Sequence, residues 1–413
     1  MIVKLIRDCR IFTPEGDGPS RGGEQGRISS HPRGGILVRD GLIEAVGPEE
    51  EILSHPLAAA ADEEIPCGGC CVIPGFVDPH THMCFAARRE EEFSMRLAGA
   101  AYLDILKRGG GILSSVRSVR ECTGDELFES TSGLALSALA HGTTTVEMKS
   151  GYGLDTENEL KMLSVIRRVG RETPLDVVPT FMGAHAIPEA FRGNGDGYVD
   201  LLVEEMLPAV EKQGIARFCD VFCEEGVFSP EQTRRILLEA RKRGMGLKVH
   251  ADEVHDTGGA ALAAELGAVS AEHLLAAGDG GIEALAAEGT IAVLLPATAY
   301  SLRKPYARAR RMIERGVPVA IATDCNPGSS FTESMPFAFG LAVMAMGLTV
   351  EEALTAATRN SAWAAGAGRI CGTLEPGKQA DFLLLDGETP AVLAYHAGVS
   401  PVAAVYKKGE RVA

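Results

Sequence analysis

The stretch Val72-Ile-Pro-Gly-Phe-Val-Asp-Pro-His-Thr-His82 is an apolar run that ends in two histidines one residue apart. In an extended strand, side chains at i and i+2 point to the same face, so His80 and His82 can converge on one ion. A His-x-His pair alone also fits a polar sheet edge. What favours a metal site is that later apolar runs, as far as Asp324, end in polar residues too.

Seven further short apolar or β-branched runs follow: Thr143 to Met148, Val177 to Phe181, Phe218 to Phe222, Leu247 to His250, Ala268 to His273, Ile291 to Leu295 and Val317 to Thr323. Helical patterns separate most of them. One is capped by Ser229, has Pro230 in its first turn and stops at Gly244; another starts at Asp155 and is expected to stop at Gly170. Eight strand-helix units with continuously apolar strands predict an α/β protein with a closed (β/α)8 TIM-type barrel.

The flanks are β-rich. Ile36 to Val46 reads as two strands around Asp40-Gly41, a dipeptide favoured in two-residue hairpin turns. Ala380 to Leu385 and Val402 to Val412 repeat the theme, with a turn near Lys408-Gly409. Neither end can bury a sheet face alone, so a small β-sandwich-like domain built from both chain ends is expected. The predicted limits are 1–65 and 367–413 for that domain and 66–366 for the barrel. Residues 17–35 read as a surface loop. The span 86–140 is too long for an ordinary barrel loop and predicts extra helices over the mouth, with Gly109-Gly110-Gly111 as a flexible joint. Those glycines match neither common phosphate fingerprint.

The 413 residues, 46% hydrophobic and 23% charged, are those of a globular chain. A formal net charge of -16 argues against nucleic acid or an anionic membrane as partner and favours a small molecule. The N-terminus lacks the pattern of a signal peptide, and a cytoplasmic location is expected. Ten cysteines are too sparse for a disulfide scaffold. Cys67-Gly-Gly-Cys70-Cys71 lacks the second pair a structural zinc needs, and Cys219 and Cys223 read as buried strand residues.

In barrels of this type, active residues sit at the C-terminal ends of strands. Strand one ends in His80 and His82, strand five in His250, strand six in His273 and strand eight in Asp324. That mixed nitrogen and oxygen set suits zinc or iron, and such an ion lowers the pKa of a bound water toward ~7. Asp324 can bind the ion and accept a proton, while His273 can polarise a scissile carbonyl. Glu253, three residues beyond His250, can move protons to a leaving nitrogen. Glu272 is expected on the opposite face of its strand from His273, in a structural role. Glu147 and Lys149, at the end of strand two, read as an ion pair in preference to a lysine carbamate bridging two metals.

Pro74-Gly-Phe-Val-Asp-Pro-His-Thr-His82, Lys149-Ser-Gly-Tyr-Gly153, His250-Ala-Asp-Glu253, Thr323-Asp-Cys-Asn-Pro-Gly-Ser329 and Leu374-Glu-Pro-Gly-Lys-Gln-Ala-Asp381 together resemble the amidohydrolase superfamily over nearly the whole chain, and especially its members in histidine degradation. The first motif is shared widely; those around Lys149, His250 and Asp324 are more selective. The resemblance implies a metal-dependent hydrolase that opens the ring of 4-imidazolone-5-propanoate to N-formimidoyl-L-glutamate, and a homodimer. It places zinc or iron on His80, His82, His250 and Asp324, the catalytic pair on Glu253 and His273 beside Asp324, and substrate contacts on Arg89, Tyr152, His185, Glu253, Asn326, Gly328 and Ser329. Arg89 then supplies a planar fork for the propionate, and Gly328 lets the backbone approach the ligand. Arg88 and Cys325 depart from the family pattern, where an acidic or neutral residue and an aromatic one are usual. Another cyclic amidohydrolase or an aminopurine-type deaminase can use the same mononuclear site, but a deaminase needs no cation for a propionate. A non-catalytic scaffold of this fold need not keep the ligand set.

Overall fold

The computed structural model describes residues 1–99 and 110–413. Its eight barrel strands are parallel and follow one another in chain order: Phe76–Asp78, Thr143–Lys149, Asp176–Ala184, Phe218–Cys223, Gly246–Ala251, Ser270–His273, Ile291–Leu294 and Val319–Ile321. Each corresponds to one of the expected runs. The last and first strands meet at the mouth, where Asp324 N–H donates to the His80 carbonyl at 3.1 Å and His82 N–H to the Cys325 carbonyl at 2.9 Å. Residues far apart in sequence thereby become neighbours across one seam.

The first run is two strands, not one. Cys71–Pro74 pairs with Val3–Pro14 and Phe382–Leu385 in the flanking sheet, and only Phe76–Asp78 enters the barrel. The crossing is at Gly75, where an added Cβ would come within 2.4 Å of the Thr144 hydroxyl. The small sheet therefore keeps the chain through Pro74, past the expected limit at residue 65. It combines both chain ends, with Leu42–Pro48 on one edge and Glu410–Arg411 on the other. Its two turns, Asp40-Gly41 (φ 50° and 82°) and Lys408-Gly409 (51° and 74°), are left-handed at both residues, which matches the twist of paired strands.

Residues 17–35 are not a plain surface loop. Ile28–Arg39 is a strand paired with Val3–Pro14, and its polar Ser29, Ser30 and His31 conceal the alternation. Just before it, the buried Gln25 side chain donates to the Val319 carbonyl at 3.1 Å and so holds the segment against the eighth barrel strand. Among the described residues of 86–140, the expected helices are Glu90–Leu97, Ile112–Glu121 and Gly124–Ala140, the last opened by a reciprocal Thr123 and Glu126 cap. Of the glycine joint, Gly109 lies outside the described residues, and Gly111 has φ 81° at the start of its helix.

Pro230–Lys242 starts on the Ser229 cap, as expected. The helix capped by Asp155 runs through Gly170 to Glu172. Gly170 is there for packing: a Cβ would press on Val177 at 3.1 Å.

Candidate metal centre and active site

The imidazoles of His80, His82 and His250 meet where the strands end. His82 Nε2 and His250 Nε2 are 3.2 Å apart, and Asp324 Oδ1 lies 3.4 Å from His80 Nε2 and 3.6 Å from His82 Nε2. One ligand atom from each of His80, His82 and Asp324 falls within 4.8 Å of the others, and the same holds for His80, His250 and His273. All are buried.

The chemistry of this set fits a cation. Burial, reinforced by facing imidazoles, holds His82 and His250 well below the usual imidazole range, so both offer lone pairs. Burial would lower His80 as well, but the facing Glu272 outweighs it and His80 is pushed up to about 9, a sign that positive charge is favoured at this point. His80 Nε2 is buried without a hydrogen-bond partner. A divalent ion answers both conditions.

Backbone strain helps to aim the ligands. His273 has φ 72°, Asp324 53° and Asp252 50°, left-handed values that non-glycine residues seldom adopt. The turn at His273 also corrects the expectation for Glu272. In the parallel register Glu272 lies beside His250, so its side chain enters the barrel, and His273 reaches the mouth only because its backbone leaves the strand geometry. Glu272 Oε2 touches His80 Nδ1, while Asp220 Oδ2 lies 2.9 Å from His250 Nδ1. Partners of this kind fix the orientation of metal-binding imidazoles.

Beneath the cluster, Lys149 extends the expected ion pair with Glu147 into a buried network. Its ammonium lies 2.9 Å from Glu147, 2.9 Å from Asp220 and 3.0 Å from Glu272. Burial opposes its charge, yet the three carboxylates outweigh burial and hold Lys149 well above the usual lysine range. The three carboxylates favour the charged ammonium, and with it the expected ion pair over a carbamate, whose negative charge would face theirs.

The catalytic candidates adjoin the cluster. Glu253 Oε2 is 3.7 Å from His273 Nδ1, and burial raises the Glu253 carboxyl. Asp324 Oδ2 accepts from the Thr298 hydroxyl at 2.5 Å, which leaves Oδ1 facing the imidazoles. Glu253 sits in a loop clamped from two sides: Asp252 accepts from the N–H groups of Thr257, Gly259 and Ala260, and Glu224 from those of Val254 and His255.

The substrate candidates line the same mouth. His185 stacks on His82 with centroids 4.8 Å apart, and Tyr152 lies 5.3 Å from His185. Arg89 folds over Gly328, where an added Cβ would meet the guanidinium at 2.5 Å, whereas Arg88 lies over the Phe331 ring at 5.2 Å. That separates the two adjacent arginines. Asn326 turns inward: its Oδ1 accepts from Gly328 N–H and Ser329 N–H at 2.8 and 2.7 Å, and its Nδ2 bonds the Ser329 hydroxyl at 2.9 Å. Asn326 and Ser329 therefore shape the loop beneath Arg89. Cys325 is buried.

Sequence reasoning missed Asp220, Thr298, Asp252 and Glu224. The available signal was an acid inside the apolar strand Phe218-Cys-Asp-Val-Phe-Cys223, unexpected unless paired.

Comparison with known proteins gives the family and the fold of the chain. The amidohydrolase family model matches residues 71–412. Imidazolonepropionase of Syntrophobacter fumaroxidans is 63% identical over 409 residues, covering 99% of this chain and 96% of that protein. Imidazolonepropionase of Desulfotalea psychrophila is 62% identical over the full length of both. Among solved structures, an adenosine deaminase from Xanthomonas campestris with bound zinc shares the fold at TM-score 0.71 and 18% identity, covering 99% of this chain and 92% of the other.

Proposed function

The chain belongs to the amidohydrolase family and, within it, to the imidazolonepropionases, and we propose on that footing which groups at its barrel mouth carry the reaction. It is a hydrolase of a cyclic amide in histidine degradation: water opens 4-imidazolone-5-propanoate to N-formimidoyl-L-glutamate. The substrate is a small molecule, and a metal ion serves the site.

His80, His82, His250 and Asp324 hold the ion, which is zinc or iron given three imidazoles and a carboxylate. When bound, such an ion acts as a Lewis acid and makes water a nucleophile at neutral pH. The observation that carries this reading is that ligand atoms of His80, His82 and Asp324 lie within 4.8 Å of one another at one buried place, with His250 Nε2 3.2 Å from His82 Nε2.

Arg89 receives the propionate carboxylate, and Tyr152 and His185 wall the ring. His273, adjoining the ligand cluster, stabilises the charge that grows on the ring carbonyl oxygen. Asp324 takes a proton from the attacking water. The ring C–N bond then breaks, and Glu253, whose carboxyl burial has raised, delivers a proton to the departing nitrogen. Gly328 keeps space for Arg89.

A cytoplasmic homodimer without nucleic-acid partners completes the reading. No helix among the described residues is long and apolar enough to cross a membrane. The exposed Met344, at the end of the apolar helix Met335–Met344, and the exposed Tyr395 are surface that a second copy would cover.

The test is to incubate metal-loaded protein with 4-imidazolone-5-propanoate and measure N-formimidoyl-L-glutamate, beside His250→Ala. Product above the spontaneous background in wild type, and lost in the variant, is expected. Wild type at background overturns the assignment.

A further inference from the structure

Lys149 is fully buried, and among the described residues none of its ion-pair partners is a position assigned to the substrate. Its three carboxylate partners are Glu147, Asp220 and Glu272. The Asp220 oxygen that meets the ammonium is the one 2.9 Å from His250 Nδ1, and the Glu272 oxygen that meets it is the one touching His80 Nδ1. One cation is thus linked through two carboxylates to two candidate ligands on different strands.

We propose that Lys149 is a positioning residue for the metal centre: its ammonium anchors Asp220 and Glu272, which orient His250 and His80 with Nε2 toward the ion. The proposal rests on the reading that His80, His82, His250 and Asp324 hold that ion. The ammonium donates to Glu147 Oε1 at 2.9 Å and pairs as a charge with Asp220 Oδ2 and Glu272 Oε2 at 2.9 and 3.0 Å. Without it, Asp220 and Glu272 face one another as like charges in a low-dielectric interior and turn away from the imidazoles they support. Asp220 depends on it most. Glu272 has a second cation, Lys248, on its other oxygen at 2.8 Å, whereas Lys149 is the one ammonium or guanidinium paired with Asp220 among the described residues. The other Asp220 oxygen accepts the His250 backbone N–H at 3.2 Å, so the carboxylate pivots there once the ammonium is gone.

The experiment compares full-length wild type, Lys149→Met and Lys248→Met by chelator competition for Zn2+ and by the visible absorption of the Co2+ forms, with circular dichroism to establish folding. Lys149→Met is expected to fold, to bind the metal about 10- to 100-fold more weakly and to show a changed cobalt spectrum. Lys248→Met, which leaves Asp220 anchored, is expected to shift both less. If Lys149→Met does not fold, Lys149→Met combined with Glu147→Gln removes one charge of each sign and carries the same expectation. A folded Lys149 variant with wild-type affinity and cobalt spectrum overturns the proposal. Wild type that binds no ion overturns instead the metal reading beneath it.

Discussion

Glu92 grips the Arg89 guanidinium with both carboxylate oxygens, Nε to Oε1 at 3.0 Å and Nη2 to Oε2 at 2.7 Å, while the Nη1 side rests on Gly328. Glu92 also accepts Gly111 N–H at 3.1 Å, so one carboxylate ties the arginine to the start of the following helix. Arg89 is thereby held by one edge, with the other turned to the loop shaped by Asn326. A hydrogen bond to a charged group contributes about 1.5–3 kcal/mol, and each 1.4 kcal/mol is tenfold in binding. Arg89→Ala should therefore raise KM for the propionate substrate roughly ten- to hundredfold, with a smaller change in kcat. Glu92→Gln should raise KM less, because Arg89 keeps its charge and loses only its brace. Steady-state kinetics on the two variants checks this, and a fall in KM for Glu92→Gln would show that Glu92 competes with substrate.

Glu253 lies 3.7 Å from His273 and is not among the residues proposed to hold the ion. Glu253→Gln keeps its size and removes the proton transfer proposed for it, a function worth about 10²- to 10⁴-fold in rate. The expected outcome is that loss in kcat with undiminished bound metal, both measured on one preparation. Metal lost along with activity would instead make Glu253 a support for the ion.

The path from sequence to site was clearest where periodicity and strand-end chemistry coincide, as at His80, His82, His250 and Asp324. It failed where a side chain's direction depends on one dihedral. Glu272 and His273 are adjacent, and alternation sends them to opposite faces, but φ 72° at His273 lets both serve the mouth from above and below. The split of the first strand at Gly75 was hidden for a related reason: Cys71–Pro74 and Phe76–Asp78 are equally apolar, and only their partners distinguish the two sheets. Arg88 and Arg89 differ by what each packs on, Phe331 or Gly328, and neither contact is local in sequence.

Glu159 is buried on the helix Thr156–Glu172 and accepts three backbone donors of the loop that carries Tyr152: Gly151 N–H at 3.0 Å, Gly153 N–H at 2.8 Å and Leu154 N–H at 2.8 Å. Gly153 has no room for a side chain, since a Cβ would meet Glu159 N at 2.5 Å. Each buried donor left without an acceptor costs about 1–3 kcal/mol. Glu159→Ala should lower the melting temperature, speed hydrogen exchange at residues 151, 153 and 154, and raise KM through Tyr152. Unchanged exchange at those amides would refute the anchoring role.

Glu375 joins the two chain ends, with Oε1 accepting Gly16 N–H at 3.1 Å and Oε2 lying 3.2 Å from the Lys378 ammonium. Burial alone would raise its carboxyl, but the Thr373 hydroxyl, the Gly16 amide and Lys378 outweigh burial and hold it below its ordinary 4.5. A carboxyl depressed in the folded state contributes stability that is fully present above the unfolded value and is lost as pH falls through the folded one. Wild type should therefore exceed Glu375→Gln in urea midpoint by a constant margin from pH 7 down to about pH 5, and the margin should shrink as the pH falls below 4.5. The sign follows from which form the partners favour: Gly16, Thr373 and Lys378 all donate, so the protonated acid and the amide are equivalent losses. A margin that grows on acidification would mean that Glu375 joins the two ends as a neutral acid, against the direction its three donors impose.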